Sequence, residues 1–389
     1  MRRRPFLAGL MPALLAGRPG DASALSTPAP APLDNPALGV SHRALRFPAD
    51  HGSHPDTHVE WWYVTGWLRS GPDAPATSPP EFGFQVTFFR SRSGLAEGSA
   101  SRFAARQLVF AHVALTDLAA GANGAGLMHD QRAAREGFGL VQAPAASGEQ
   151  RVRLRDWSLI RAAPSSSNDT RSRLHASVRS EHFALELDLA STQPVLLQGE
   201  SGYSQKGPDP ADASHYYSEP QLAVRGRLER ASAPARDVSG RAWLDHEWSN
   251  RYLGSDAVGW DWVGFNLDDG AALMAFRLRR ADGSVNWAGG SYRSPAGALR
   301  NFAADEVRFE PERHWTSPRT RASYPVEWAL ATPSGRWRVV ALLDDQELDS
   351  RNSTGSVYWE GLSALKRDDG RTAGHGYLEL TGYPGRLRL

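Results

Sequence analysis

The chain has 389 residues and no Cys, which excludes disulfides, thiolate metal sites and a Cys nucleophile; its length suits two ordinary domains. Lys plus Arg total 44 against 43 Asp plus Glu, a net charge of +1, so no charge-driven affinity for nucleic acid or an anionic membrane surface is expected. Hydrophobic residues at 41% and charged residues at 22% exclude a disordered or fibrous chain. Lys206 and Lys366 are the only lysines in an Arg-dominated composition.

Arg3-Arg4-Pro5-Phe6-Leu7 resembles a twin-arginine export signal, and Ala22-Ser23-Ala24 offers a cleavage site. Residues 1–24 are therefore expected to be a signal peptide and the mature protein periplasmic; a general secretory signal is the alternative. The apolar run is too short and too interrupted for a spanning helix, so no transmembrane segment is expected in the mature chain. Residues 25–45 are Pro- and Ala-rich and read as a linker.

From His58 onward the apolar period is two. In HVEWWYVTGWL, His58 to Leu68, a strand would put His58, Glu60 and Trp62 on one face and Val59, Trp61 and Tyr63 on the other. Residues 82–88, 109–116, 151–160 and 183–189 each predict one strand, and Arg132 to Glu136 is a short helix candidate. Ser214 to Ser218 reads as a loop. ASAPARDVSG, residues 231–240, looks like a domain junction, dividing the chain into 46–232 and 233–389. Beyond it, the stretches at 260–263, 274–279, 326–330, 337–343, 357–361 and 376–380 predict a second strand set, with hairpin turns at Asp268-Asp269-Gly270 and Asp282-Gly283. The predicted fold is all-β, with two β-barrel-like domains.

The densest chemistry lies in Trp243 to Asp269, WLDHEWSNRYLGSDAVGWDWVGFNLDD. Acids and a His beside large rings suit either a cleft where a proton moves away from bulk water or a barrel mouth plugged by aromatics. On strands, Asp245 and Glu247 share a face opposite His246, and Asp261 points away from Trp260 and Trp262. The site must therefore be assembled from several strands, with His58-x-Glu60 the expected contribution from the first domain and the domain interface the expected place. His58 and Glu60 could relay a proton, bind a metal or simply satisfy each other. His215 and Tyr216 could face a ligand or close a barrel end. Gln85 and Arg90 are weaker candidates. Tyr358-Trp359-Glu360-Gly361 and Gly376 to Tyr383 repeat the pairing of acid and aromatic. No H-E-x-x-H, G-x-S-x-G, P-loop or dinucleotide fingerprint is present, and no metal or cofactor is expected.

HVEWWYVTGWL, FQVTFFR at 84–90, HYYS at 215–218, WLDHEW at 243–248, GWDW at 259–262, YWEG at 358–361 and GYLELTGY at 376–383 together resemble the AttH/CrtC-type family. These are lipocalin-like proteins that include the carotenoid 1,2-hydratases and predicted secreted hydrolases. The resemblance implies two lipocalin-like β-barrel domains packed side by side, with a pocket involving both. In the hydratase branch water adds across a terminal alkene of an acyclic carotenoid, which calls for a neutral carboxylic acid, rings around the resulting cation and a held water. The implied cast is Asp245 or Asp261 as acid, His246 orienting water, and Trp248, Trp260 and Trp262 around the cation. Glu60 and His58 would complete the catalytic set, and Trp61, Trp62, His215 and Tyr216 would line the pocket. A periplasmic carrier for an apolar or lipid ligand, linked to an export system, is the non-catalytic alternative. A buried Asp245 or Asp261 without an Arg partner would favour catalysis, and a neutralised one a structural role.

Overall fold

Apolar residues that alternate with polar ones, with β-branched and aromatic residues among them, favour extended pairing, and most of the described residues are strand. The structure is a computed structural model describing residues 39–387, apart from 73–77, 95–96, 122–125, 138–140, 143–149, 164–170 and 232. The expected signal peptide 1–24 and residues 25–38 of the expected linker lie outside the described residues.

The first sheet comprises β1 (Val59–Ser70), β2 (Phe82–Arg92), β3 (Gln107–Asp117), β4 (Leu127–Arg135), β5 (Val141–Gln142), β6 (Arg151–Leu154), β7 (Trp157–Arg161), β8 (Arg173–Arg179), β9 (Phe183–Ala190), β10 (Leu196–Leu197), β11 (Tyr203–Gln205), β12 (Ala213–Arg230) and β13 (Ala233–Ser249). Its order is β4-β3-β2-β1-β13-β12-β9-β8-β7-β6-β5, with β10 and β11 also paired to β12. The second holds β14 (Ala257–Leu267), β15 (Ala272–Arg280), β16 (Val285–Arg293), β17 (Leu299–Phe302), β18 (Arg308–Thr316), β19 (Ser323–Thr332), β20 (Gly335–Ala341), β21 (Glu347–Ser350), β22 (Ser356–Lys366) and β23 (Thr372–Leu380). It runs β17-β16-β15-β14-β23-β22-β20-β19-β18, with β21 on β22. The first sheet curls until β3 and β4 meet β6, around Trp62, Phe84, Phe88, Trp157 and Trp248. The second wraps Val263, Phe265, Trp328 and Trp359. The molecule is all-β, two lipocalin-like barrels. No helix among the described residues is long and apolar enough to cross a membrane.

Four local expectations change. Arg132 to Arg135 lies in β4, where pairing to β3 overrides a short helical pattern. Residues 151–160 form a hairpin, β6 and β7, turned at Arg155, whose φ is 58°. Ser214 to Ser218 belongs to β12. Arg230 pairs with Ala233, so 231–240 joins β12 to β13 inside the first sheet, and Pro234, Ser239 and Gly240 already belong to β13. The chain passes between sheets after Ser249 and before Ala257, not at 232/233, which leaves Trp243 to Ser249 in the first sheet.

A third apolar layer joins the sheets. Tyr63, Trp67, Tyr216 and Trp243 from the first meet Trp262, Met274, Phe276, Leu278, Leu362 and Tyr377 from the second. The sheets approach closely at Gly83, where a Cβ would stand 2.6 Å from Tyr377 Oη and 2.9 Å from Leu362 Cβ.

Candidate active site between the sheets

Strand pairing assembles the motifs into two walls. In the first sheet β1, β13 and β12 are neighbours, and the register sets Tyr63 opposite Asp245, Trp61 opposite Glu247, Ser218 opposite Asp245 and Tyr216 opposite Glu247. In the second, β22, β23 and β14 are neighbours, with Glu360 opposite Glu379 and Glu379 opposite Trp262. Period two turns these side chains toward the other sheet. They enclose a narrow slot, completed by Gln85, Phe89, Lys206, Tyr252, Trp260, Phe276 and Leu278, with about 730 Å³ free of atoms, mouth included.

The slot carries four carboxyl groups in three different settings. Asp245 is buried and accepts from Ser218 Oγ at 2.5 Å, Trp243 Nε1 at 2.7 Å and Tyr216 Oη at 2.7 Å. Burial outweighs those three donors and pushes it up to about 7; among the described residues no cation bonds it. Glu247 is ion-paired to Lys206 Nζ at 2.9 Å and accepts from Ser214 Oγ at 2.5 Å. The Lys206 ammonium also lies 4.8 Å from the Tyr216 ring centre and 4.4 Å from that of Phe276.

Glu360 and Glu379 face each other across one strand pair, a position where two like charges repel strongly. Burial first, then the charge of Glu379, holds Glu360 well above the usual carboxylate range. Burial also raises Glu379, although Trp260 Nε1 donates to it at 3.0 Å. Glu360 Oε2 accepts from Gln85 Nε2 at 2.7 Å, while Oε1 is buried without a hydrogen-bond partner. Tyr63 is close enough to feel the charge of Glu360, but no hydrogen bond of good geometry joins them, and Tyr63 Oη and Gln85 Oε1 are also buried and unpartnered.

Of the residues picked out from the sequence, Asp245, Trp61, Trp260, Trp262 and Tyr216 line the slot. Asp261 does not. It points into the second barrel, where Arg277 Nε at 2.6 Å, Arg279 Nε at 3.1 Å and Tyr383 Oη at 2.8 Å hold it. Glu60, Trp62, His246 and Trp248 face the first barrel's interior, because strand alternation sends them opposite to Trp61, Tyr63, Asp245 and Glu247. There Glu60 takes Arg90 Nε at 2.8 Å, His54 Nδ1 at 2.8 Å and His246 Nε2 at 2.9 Å. Burial works against its charge, but Arg90 and the two imidazoles win and hold it well below the usual range. Burial lowers His246 to about 4 against the pull of Glu60, so it is a neutral imidazole bridging Glu60 and Tyr217 Oη. It cannot orient water in the slot. Trp248 stacks on His54 at 3.6 Å between centres. His215 is buried beside Trp248 on the same interior face, lowered by burial to about 4. His58 precedes β1, half-buried, its backbone N–H on Asn250. His54, Glu60 and His246 do bring three ligand-type atoms within 4.8 Å. Hydrogen bonds from Arg90, both imidazoles and the His54 backbone already occupy both Glu60 oxygens.

Gln85, a weaker candidate from the sequence, also lines the slot, and polar slot residues to which the sequence assigned no role include Glu247, Glu360, Glu379, Tyr63 and Lys206. Glu360 and Glu379 did stand beside aromatics in YWEG and GYLEL, but only the pairing of β22 with β23 shows that they oppose each other.

Fold and slot together define a class: paired lipocalin-like barrels with a carboxyl-lined cleft between them. The AttH-like family model matches residues 39–383, and the chain belongs to the AttH-like family. A solved structure of a candidate AttH from Nitrosomonas europaea is 46% identical, with a TM-score of 0.77 over 88% of this chain and 98% of that one. Kievitone hydratase from Nectria haematococca shares the fold at 12% identity, with a TM-score of 0.62 over 87% of this chain and 93% of that one. No curated protein matches the chain.

Proposed function

We propose that the chain is a cofactor-free hydratase- or hydrolase-like enzyme that acts by carboxylic-acid catalysis on an apolar, isoprenoid- or lipid-like substrate in the slot. The observation that carries this is the direct opposition of buried Glu360 and Glu379, with Asp245 on the facing wall and aromatic rings between. Carboxyls kept neutral near physiological pH are proton donors. Glu360 is the better-placed donor, because its Oε1 is unpartnered, whereas both oxygens of Asp245 already accept hydrogen bonds. In the hydratase form of the reaction, Glu360 protonates an alkene carbon. The faces of Trp61, Trp260 and Trp262 stabilise the cation. Water adds through its oxygen, and the proton it loses passes to a carboxylate, for which ion-paired Glu247 is the candidate; release of that proton to solvent and uptake of one by Glu360 restore both groups for the next turnover. That a neighbour in fold is named a hydratase agrees with this class of reaction.

The test is mass spectrometry of isoprenoid alkenes incubated with wild type, Glu360→Gln and Asp261→Asn. A product heavier by one water, lost in Glu360→Gln and kept in folded Asp261→Asn, supports the reading. Bound ligand recovered unchanged from all three supports a lipid carrier instead. We place the activity in the periplasm on the strength of Arg3-Arg4. Replacing both by Lys should leave the protein in the cytoplasmic fraction, and normal export of that variant would contradict twin-arginine transport.

A further inference from the structure

We propose that the substrate carries a hydroxyl group, read by Gln85 and Tyr63 in the wall of the slot. The inference rests on the slot being the ligand site, as above, but not on the reaction performed there. Gln85 Nε2 is committed on the protein side: Glu360 Oε2 lies at 2.7 Å, Thr87 Oγ1 at 3.1 Å and Tyr358 Oη at 3.2 Å. With its proton on Oε1, Glu360 presents Oε2 as an acceptor, which orients the amide nitrogen toward it and leaves Gln85 Oε1 without a partner, in a residue only 1% exposed. Tyr63, 6% exposed, has an Oη that makes no hydrogen bond of good geometry, with Thr65 and Glu360 its polar neighbours. Burial, then the Glu360 charge, raises its phenol well above the usual range, so it stays a donor.

Tyr63 sits opposite Thr87, and Gln85 opposite Thr65. The two are therefore diagonal neighbours on one face, with backbones about 7–8 Å apart, a gap that one oxygen accepting from one and donating to the other can span. A buried acceptor and a buried donor left open cost on the order of 1–3 kcal/mol each unless something fills them. A hydroxyl does both. An ether or a carbonyl cannot donate to Gln85. An ammonium cannot accept from Tyr63, and it would join the Lys206 cation already in the slot. The remaining lining is mostly rings and Leu278, which suits a flat or slender apolar body on the hydroxyl.

Trp61, Trp260 and Trp262 line the slot, so their emission reports occupancy without turnover. Geraniol and geranyl methyl ether, titrated separately, share an apolar body and differ in the hydroxyl donor. Wild type should bind the alcohol at least about tenfold more tightly, the size expected when a buried acceptor is stranded. Gln85→Leu should reduce that preference to less than about twofold. Tyr63→Phe, which keeps the ring, should reduce it partly and carries the test if Gln85→Leu does not fold. Equal affinities in wild type, a preference that survives both variants, or no binding of either probe would overturn the proposal. Alcohol-selective binding without any hydrated product would uphold it while sinking the reaction proposed above.

Discussion

Two buried carboxylates that both stand near Trp in sequence can have opposite fates. Asp245 and Asp261 both lie among Trp residues, yet Asp261 is held by two guanidinium groups and Asp245 by none. Asp261→Asn should therefore strand Arg277 and Arg279 and cost roughly 3–5 kcal/mol of stability, read as a fall in the midpoint of denaturant unfolding; an unchanged midpoint would contradict the structural role. Asp245→Asn should behave differently. Its folded value near 7 lies above the ordinary 3.8, so below about pH 4 the group is neutral folded or unfolded and contributes nothing. As pH rises to 7 the unfolded chain releases the proton while the folded protein retains it, and stability falls by an amount on the order of a few kcal/mol before levelling off. Asp245→Asn should thus gain stability over wild type between pH 4 and 7, growing with pH; a gain largest at pH 4 would reverse the sign and refute the burial argument. Residue faces were legible in the sequence, because alternation alone puts Asp245 with Glu247 and against His246. The partners were not: nothing near Asp261 announces Arg277 and Arg279, which arrive through the pairing of β14 with β15.

At the scale of elements, the slot depends on how closely two curved sheets approach. Gly83 in β2 lies under Tyr377 and Leu362, so Gly83→Ala forces the sheets apart or the side chains to shift. The expected cost is about 1–3 kcal/mol, measured by thermal unfolding, together with altered Trp emission from the slot. A variant as stable as wild type would show that the contact is loose. Many individual strands could be read from period two, but not the Ser214 to Ser218 stretch of β12 that brings Tyr216 to the first wall. A hairpin within one short stretch could not be read either, as 151–160 shows: its only local mark is the shift of apolar phase from Val152 and Leu154 to Trp157 and Leu159; the true passage between sheets was no more legible. The small and polar residues at 231–240, with one Pro and one Gly, look like a break; whether a break ends a sheet or continues it is decided by long-range pairing of β13 with β1, which no local pattern encodes.

For the whole molecule, the apolar layer between the barrels ties their stabilities together. Thermal unfolding followed by far-ultraviolet circular dichroism and by Trp emission should show one coincident transition. Two separated transitions would mean that the interface is weak and the slot readily opened. The all-β, two-barrel architecture was legible from repeated short alternating stretches; the site between the barrels was legible only as a location, since its second wall comes from strands far along the chain. The central claim is that Glu360 donates a proton within that slot. It is tested most directly by incubating wild type and Glu360→Gln with a mixture of isoprenoid alkenes in heavy-oxygen water and weighing the products. The account predicts a wild-type product heavier by one labelled water and none from a folded Glu360→Gln; labelled product formed equally by both proteins would contradict it.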